Sequence, residues 1–280
     1  MRIQTIVLCC FLLLGCHKKE EKKSPRSIYD QPVFAELALL AAKEEGQFAH
    51  FKRDPFFNLL WENHTFEEGK RWLQDIEAKS PWMKERFDLF RQNDQLGSPR
   101  VFDYGKEGFF SPSTLRWIAL AGDLKLRLGS LSNLHIVQIG AGYGGLCKIL
   151  HAMEGFGSYA IVDLPEPLAL AKKYLEELGV ENVVFLTPEE LPKKTRYDLV
   201  ISDMSFSEFN RSYQEVFFDK ILSCSHSGYL LGHIFPKHYG VVPLSFEELK
   251  TRVARLKKCA KWEMDEPAVD KEDYFIYFSG

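Results

Sequence analysis

Four glycines, Gly140, Gly142, Gly144 and Gly145, directly follow the apolar run Leu134–Ile139. Without a Cβ they let the backbone turn tightly and let a ligand come close to it. Leu146, Ile149 and Leu150 then recur at helical spacing, so the turn should end at a helix N-terminus. Asp163 stands eighteen residues beyond Gly145 and closes a second apolar run that begins at Ser158. A carboxylate at the tip of the neighbouring parallel strand is placed to accept hydrogen bonds from ribose hydroxyls. Strand, glycine turn, helix, strand and acid, in that order, read as a site for an adenosine-containing cofactor.

The elements that must position these residues alternate along the chain. After Asp163 a helix is expected over Glu166–Leu178, ended by Gly179. Strands follow over Asn182–Thr187, Tyr197–Asp203 and Gly228–Ile234, with a helix over Arg211–Ser223 between the last two. Thr187-Pro188-Glu189-Glu190 reads as a short turn or helix. Ser245 caps a helix running to Lys257, with Glu248 as its capping-box partner, and Tyr274–Phe278 is a closing strand. Upstream, Ser111 is a natural N-cap and Pro112 suits the first turn of a helix that runs through Leu126. The pattern predicts an α/β fold, a mostly parallel sheet with helices on both faces.

Residues 28–95 read as a helical extension ahead of this region, which occupies 96–280. Large apolar side chains recur at three- and four-residue spacing over Phe66–Ile76 and Trp82–Phe90, and Trp61, Trp72 and Trp82 read as core on or beside these stripes. Before them, residues 1–16 form a targeting segment: Arg2, an apolar run from Ile3 to Leu14 too short to span a bilayer comfortably, then Gly15-Cys16. Leu13-Leu14-Gly15-Cys16 resembles a bacterial lipoprotein box, which implies lipid on Cys16, a membrane-attached chain on the exported side, and residues 17–27 as a charged tether. The alternatives are a plain uncleaved anchor, or a misassigned start codon with the protein in the cytoplasm. A net charge of −3 gives no electrostatic case for nucleic acid. Cys147, Cys224 and Cys259 have no metal-ligand spacing, and no His, Asp or Glu cluster has one either.

Four pieces of the sequence resemble the class I S-adenosylmethionine-dependent methyltransferases, and more narrowly the sugar O-methyltransferases of bacterial polysaccharide gene clusters. They are Phe110-Ser111-Pro112-Ser113-Thr114-Leu115-Arg116, Ile139-Gly140-Ala141-Gly142-Tyr143-Gly144-Gly145, Ile161-Val162-Asp163-Leu164-Pro165-Glu166, and Tyr197–Asp203 with Phe206-Ser207-Glu208. The likeness covers roughly Gly97 to Ile234. It implies a Rossmann-like sheet of seven strands with the last antiparallel, S-adenosylmethionine as cofactor, and a sugar or glycan acceptor. Carried over by position, Gly140, Gly142, Tyr143 and Gly144 belong to the turn facing the methionine part, Asp163 to the ribose, and Leu164 and Glu189 to the adenine. Ser202 and Asp203 would face the methyl group and the acceptor. Many members carry an acid two residues before the first glycine; here that position is Gln138, a neutral amide that offers hydrogen bonds but no charge.

Methyl transfer to a sugar hydroxyl needs collinear alignment and gains from a positioned base. Glu208 and Asp203 are the first candidates, by their place after the fourth strand, then His233 and His238 after the fifth, with Lys237 as a charge contact. Each has a structural alternative: Asp203 as a turn acid, Glu208 as a helix cap, His233 as a satisfied core histidine. Arg116 pairs either with the cofactor carboxylate or with an acid on a surface helix. Two other functions fit parts of the chain. Gly140-x-Gly142-x-x-Gly145 also satisfies the dinucleotide pattern of a nicotinamide oxidoreductase. A lipidated, exported chain, away from the compartment where S-adenosylmethionine is expected, could keep the fold as a binding or scaffold module.

Overall fold

The computed structural model describes residues 25–234, 240–256, 259–263 and 273–279. Cys16, the tether up to residue 24, Lys237 and His238 lie outside the described residues. The main sheet has seven strands in the order β5-β4-β3-β6-β7-β9-β8. These are β3 (His135–Ile139), β4 (Ser158–Val162), β5 (Val183–Leu186), β6 (Tyr197–Met204), β7 (Ser225–His233), β8 (Cys259–Glu263) and β9 (Asp273–Ser279). From β5 to β7 every pairing is parallel, and β9 runs antiparallel to both β7 and β8. Strand β8 was not expected from the sequence. A two-stranded hairpin, β1 (Phe102–Asp103) with β2 (Phe109–Phe110), stands where a loop was expected.

The longer helices are α1 (Pro32–Lys43), α2 (Pro55–Trp61), α3 (Phe66–Lys79), α4 (Pro112–Leu128), α5 (Gly145–Met153), α6 (Pro165–Glu177), α7 (Arg211–Lys220) and α8 (Phe246–Leu256). The stretch around Trp82 is a 3₁₀ turn, Pro81–Arg86, followed by a single α turn, Phe87–Phe90. Helix α7 stops three residues earlier than expected because the chain tightens into a 3₁₀ turn at Leu222–Cys224. Successive residues of a strand point to opposite faces, and the core divides accordingly. Ile136, Leu199, Ile201, Tyr229 and Leu231 join one buried cluster with α4, α5 and the N-terminal helices. Val137, Ile139, Val200 and Leu230 join the other, under α7 and α8.

The N-terminal helices are an outer layer on the first of these faces. Helix α3 packs on α4 and α1 packs on α6, and Phe34, Phe51, Phe57 and Trp72 share one apolar cluster with β3 and β6. A buried polar network stitches the layers together. The Lys52 ammonium donates to the Asn93 carbonyl at 2.5 Å and to the Tyr174 hydroxyl at 3.0 Å, and lies 4.6 Å from the centre of the Tyr143 ring. Among the described residues no helix is long and apolar enough to cross a membrane.

Candidate active site

The order of the strands reverses between β3 and β6, which opens a crevice at their carboxyl ends. The glycine turn leaves β3 at this point. Gly140, Gly142 and Gly144 all take positive φ, at 67°, 54° and 93°, a region that residues with a Cβ avoid. Asp163 follows β4 beside the turn: one carboxylate oxygen accepts the Ala141 N–H at 3.1 Å and the other the Leu164 N–H at 2.8 Å. Burial pushes its pKa up to about 7, against the pull of the backbone N–H groups of Leu164, Ala141 and Gly142. A carboxylate has about four acceptor directions, so these bonds leave room for hydroxyl donors on the same oxygens.

Two side chains that were not expected at the site lie against the turn. A Cβ on Gly140 would fall 2.2 Å from the Ser205 Cβ, and one on Gly142 would fall 3.0 Å from the Trp61 Nε1. Ser205 Oγ also donates to the Gly140 carbonyl at 3.1 Å. Trp61 was expected as plain core; it stacks on Phe57 but also presents its indole to the glycine turn. Any ligand held over these glycines has to share the space with, or displace, those two side chains.

Several of the expected site residues make contacts within the protein. The Tyr143 side chain is turned away from the turn, 1% exposed, packed on Trp117 and Tyr174, with its hydroxyl donating to Glu62. Gln138 is buried within the sheet: its Oε1 accepts from the Tyr159 hydroxyl at 2.7 Å and its Nε2 donates to the Gly140 carbonyl at 3.4 Å. The Ser202 hydroxyl is fully buried on the α7 side and accepts the Phe206 N–H at 2.8 Å, which shapes the turn after β6. Leu164 is core, 2% exposed. Glu189 lies on the surface after β5, where it accepts from the Tyr213 hydroxyl at 2.9 Å.

Asp203 continues the face of β6 that carries Leu199 and Ile201, and so points at α4. Helix α4 starts where expected: the Ser111 hydroxyl accepts the Thr114 N–H at 3.2 Å, and Asp94 accepts from the Ser111 hydroxyl and N–H. One turn in, Arg116 grips Asp203 with both arms, Nη1 to Oδ2 at 2.5 Å. This partner stands at a strand end and is not an acid on a surface helix. Burial works against the Asp203 charge, but Arg116 and a hydrogen bond from Trp117 outweigh it and hold the carboxyl below its usual range. An acid held this way is a weaker proton acceptor than a free carboxylate.

The other two candidates converge. His233 ends β7 on the same face as Tyr229 and Leu231 and pairs in register with Asp273 at the start of β9. Its Nδ1 is hydrogen-bonded to Asp273, and its Nε2 is 3.9 Å from the Glu208 Oε1. Burial opposes the imidazolium, but the Asp273 bond and the charges of Glu208 and Asp273 raise its pKa above that of an ordinary histidine. Glu208, 5% exposed in the turn after β6, has its pKa pushed up to about 7 by burial, with His233 and the Tyr29 hydroxyl acting the other way. It does not cap α7, whose N-cap position is Asn210. Asp273 and Tyr29 carried no local signal: they meet this cluster from opposite ends of the chain. Among the described residues no group of three or more His, Cys, Asp and Glu side chains could hold a metal ion.

No family model matches this chain, and no curated protein does. Solved structures do match. The N-terminal domain of EvdMO1, crystallised in the presence of SAH and D-fucose, is 16% identical, covers 70% of this chain and 97% of that one, and superposes with a TM-score of 0.48. A structure of the same domain with SAH bound scores 0.46 at 16% identity, covering 57% of this chain and 79% of that one. The methyltransferase domain of bacterial CtHen1-C scores 0.44 at 13% identity, covering 59% and 97%.

Proposed function

We propose that this protein is an S-adenosylmethionine-dependent O-methyltransferase that acts on a hydroxyl of a sugar or polysaccharide precursor. The observation that carries the reading is a convergence at the β3/β6 crevice. A glycine turn flanked by a buried carboxylate lies beside an acid–base cluster of His233, Glu208 and Asp273. S-adenosylmethionine, when bound, supplies an electrophilic methyl group on a sulfonium. The backbone of Gly140–Gly144 would hold its methionine part and Asp163 its ribose hydroxyls.

The chain's own contribution is positioning and proton transfer. Asp273 fixes the orientation of the His233 ring through Nδ1 and favours its protonated form, with Nε2 facing the Glu208 carboxylate. Glu208, kept ionised beside that imidazolium, is the group that takes a proton from an acceptor hydroxyl. The Arg116–Asp203 pair forms a rigid wall of the crevice. Support for a sugar comes from the resemblance of the Phe110–Arg116 and Phe206–Glu208 runs to the sugar enzymes. We further propose that lipid on Cys16 attaches the chain to a membrane; globomycin-sensitive processing of the expressed protein would show it, and an unmodified, cytosolic chain would refute it.

A second reading is favoured by Trp61 and Ser205, which crowd Gly142 and Gly140. On that reading the site has lost its cofactor and the protein is a binding or scaffold module. Calorimetric titration of S-adenosylhomocysteine into the purified full-length chain separates the two. Micromolar binding, lost in Asp163→Asn with folding intact, is expected. Folded protein that binds nothing would sink the methyltransferase reading in favour of the module.

A further inference from the structure

Residues 25–31 precede every regular element of the fold and yet lie against the acid–base cluster, 179 positions from Glu208 in sequence for Tyr29. They are built in as a strap. Ile28 N–H donates to the Glu208 carbonyl at 3.0 Å, Asn210 N–H to the Arg26 carbonyl at 2.8 Å, and Ser27 bridges Phe209 in antiparallel fashion. The Asn210 amide donates to the Pro25 carbonyl at 3.2 Å. Arg26 folds back onto Asp30 through its backbone N–H at 2.8 Å, its Nε at 3.1 Å and its Nη2 at 2.8 Å, which closes the strap on itself. From this frame the Tyr29 ring packs on Phe34, and its hydroxyl donates to the Glu208 Oε1 at 2.8 Å, the same oxygen that His233 faces.

We propose that the strap makes Tyr29 a positioning residue of the site: its hydroxyl, fixed on the Glu208 carboxylate, holds Glu208 ionised and aimed at His233 and so keeps the pair in its charge-separated form. This rests on the acid–base role given to that pair under the proposed function. A neutral donor on a carboxylate favours its charged form, and a charged Glu208 in turn favours a protonated His233. The other groups facing the pair are Asp163 from the tip of β4, Asp203 from β6, Tyr274 and Asp273 from β9, and Arg116 from α4. None of these comes from the strap, so the Tyr29 hydroxyl can be removed without touching them.

The test is the titration of the His233 imidazole, followed by NMR in the full-length chain with labelled histidine and assigned through His233→Gln. In Glu208→Gln the His233 midpoint should fall. In Tyr29→Phe it should fall in the same direction by about half a pH unit or more, since a hydrogen bond to a charged group is worth that much. Ile28→Pro, which removes the N–H that ties the strap to Glu208, should reproduce the Tyr29→Phe shift. Unchanged His233 midpoints in both strap variants, with near-ultraviolet circular dichroism intact, would overturn the proposal, as would an unchanged midpoint in Glu208→Gln. The titration uses neither cofactor nor acceptor, so its failure is separate from that of the methyl-transfer reading, which S-adenosylhomocysteine binding reports.

Discussion

The Arg116 guanidinium and the Asp203 carboxylate clasp each other across the gap between α4 and the end of β6, both largely out of water. Breaking a buried ion pair from one side leaves an uncompensated charge. Arg116→Met and Asp203→Asn should therefore each destabilise the fold by about 3–5 kcal/mol, as seen in denaturant unfolding. The double variant should cost clearly less than the two singles combined. Additive losses would mean that the two groups do not act as a pair in solution.

Gly140 and Ser205 predict a second outcome. Gly140→Ala places a methyl 2.2 Å from the Ser205 Cβ at a φ of +67°. The left-handed backbone alone costs on the order of 1–2 kcal/mol with a Cβ present, and the overlap adds to it. Adding Ser205→Gly should recover the overlap but not the backbone term. Thermal midpoints should then rank wild type, double variant, single variant; equal midpoints for the two variants would place Ser205 elsewhere in solution.

Gln138 stands where many of the class I methyltransferases that the sequence resembles carry an acid, so Gln138→Glu invites trial as a gain of function. The structure predicts the opposite. The residue is 2% exposed, and its Nε2 is the donor to the Gly140 carbonyl; a glutamate would set an oxygen there instead. Burial would drive that carboxyl toward its neutral form. Lower thermal stability without tighter S-adenosylhomocysteine binding is expected. Tighter binding at unchanged stability would show that the amide is not packed in this way.

A fourth outcome concerns pH. Burial raises Glu62 and Asp163 to about 7 in the folded chain, against roughly 4 when unfolded. Between those values the folded state holds protons that the unfolded state has released. This contribution to stability is complete below about pH 4 and is lost as pH rises through 7. His64, pushed down to about 4 mainly by burial, acts the other way below about pH 6.5, but it is one group against two. The thermal midpoint should be lower at pH 7.5 than at pH 5, and Glu62→Gln should flatten that dependence. A midpoint that climbs between those two pH values would contradict the burial of these carboxyls.

The parallel core was legible because its signals are local. Apolar runs as short as Ile136-Val137, glycines at a turn, and a Ser-Pro helix start each act within a few residues. Strand β8 escaped because Cys259-Ala260-Lys261-Trp262-Glu263 has no apolar run to betray it and owes its place to pairing with β9. The N-terminal helices were legible as helices, but not as the layer that delivers Trp61 to Gly142 and Glu62 to Tyr143.

Which residues stand at the carboxyl ends of the strands was readable from the chain alone, since the alternation of a strand and the spacing of a turn are properties of sequence neighbours. That put Asp163, Asp203, Glu208 and His233 in one region. Their individual roles there come from packing. Asp203 spends its charge on Arg116, 87 positions away, while His233 gains Asp273 and Glu208 gains Tyr29. A carboxylate or imidazole takes its protonation from burial and from the charges within a few ångströms. Those neighbours come from distant parts of the chain, and only the packed sheet brings them together.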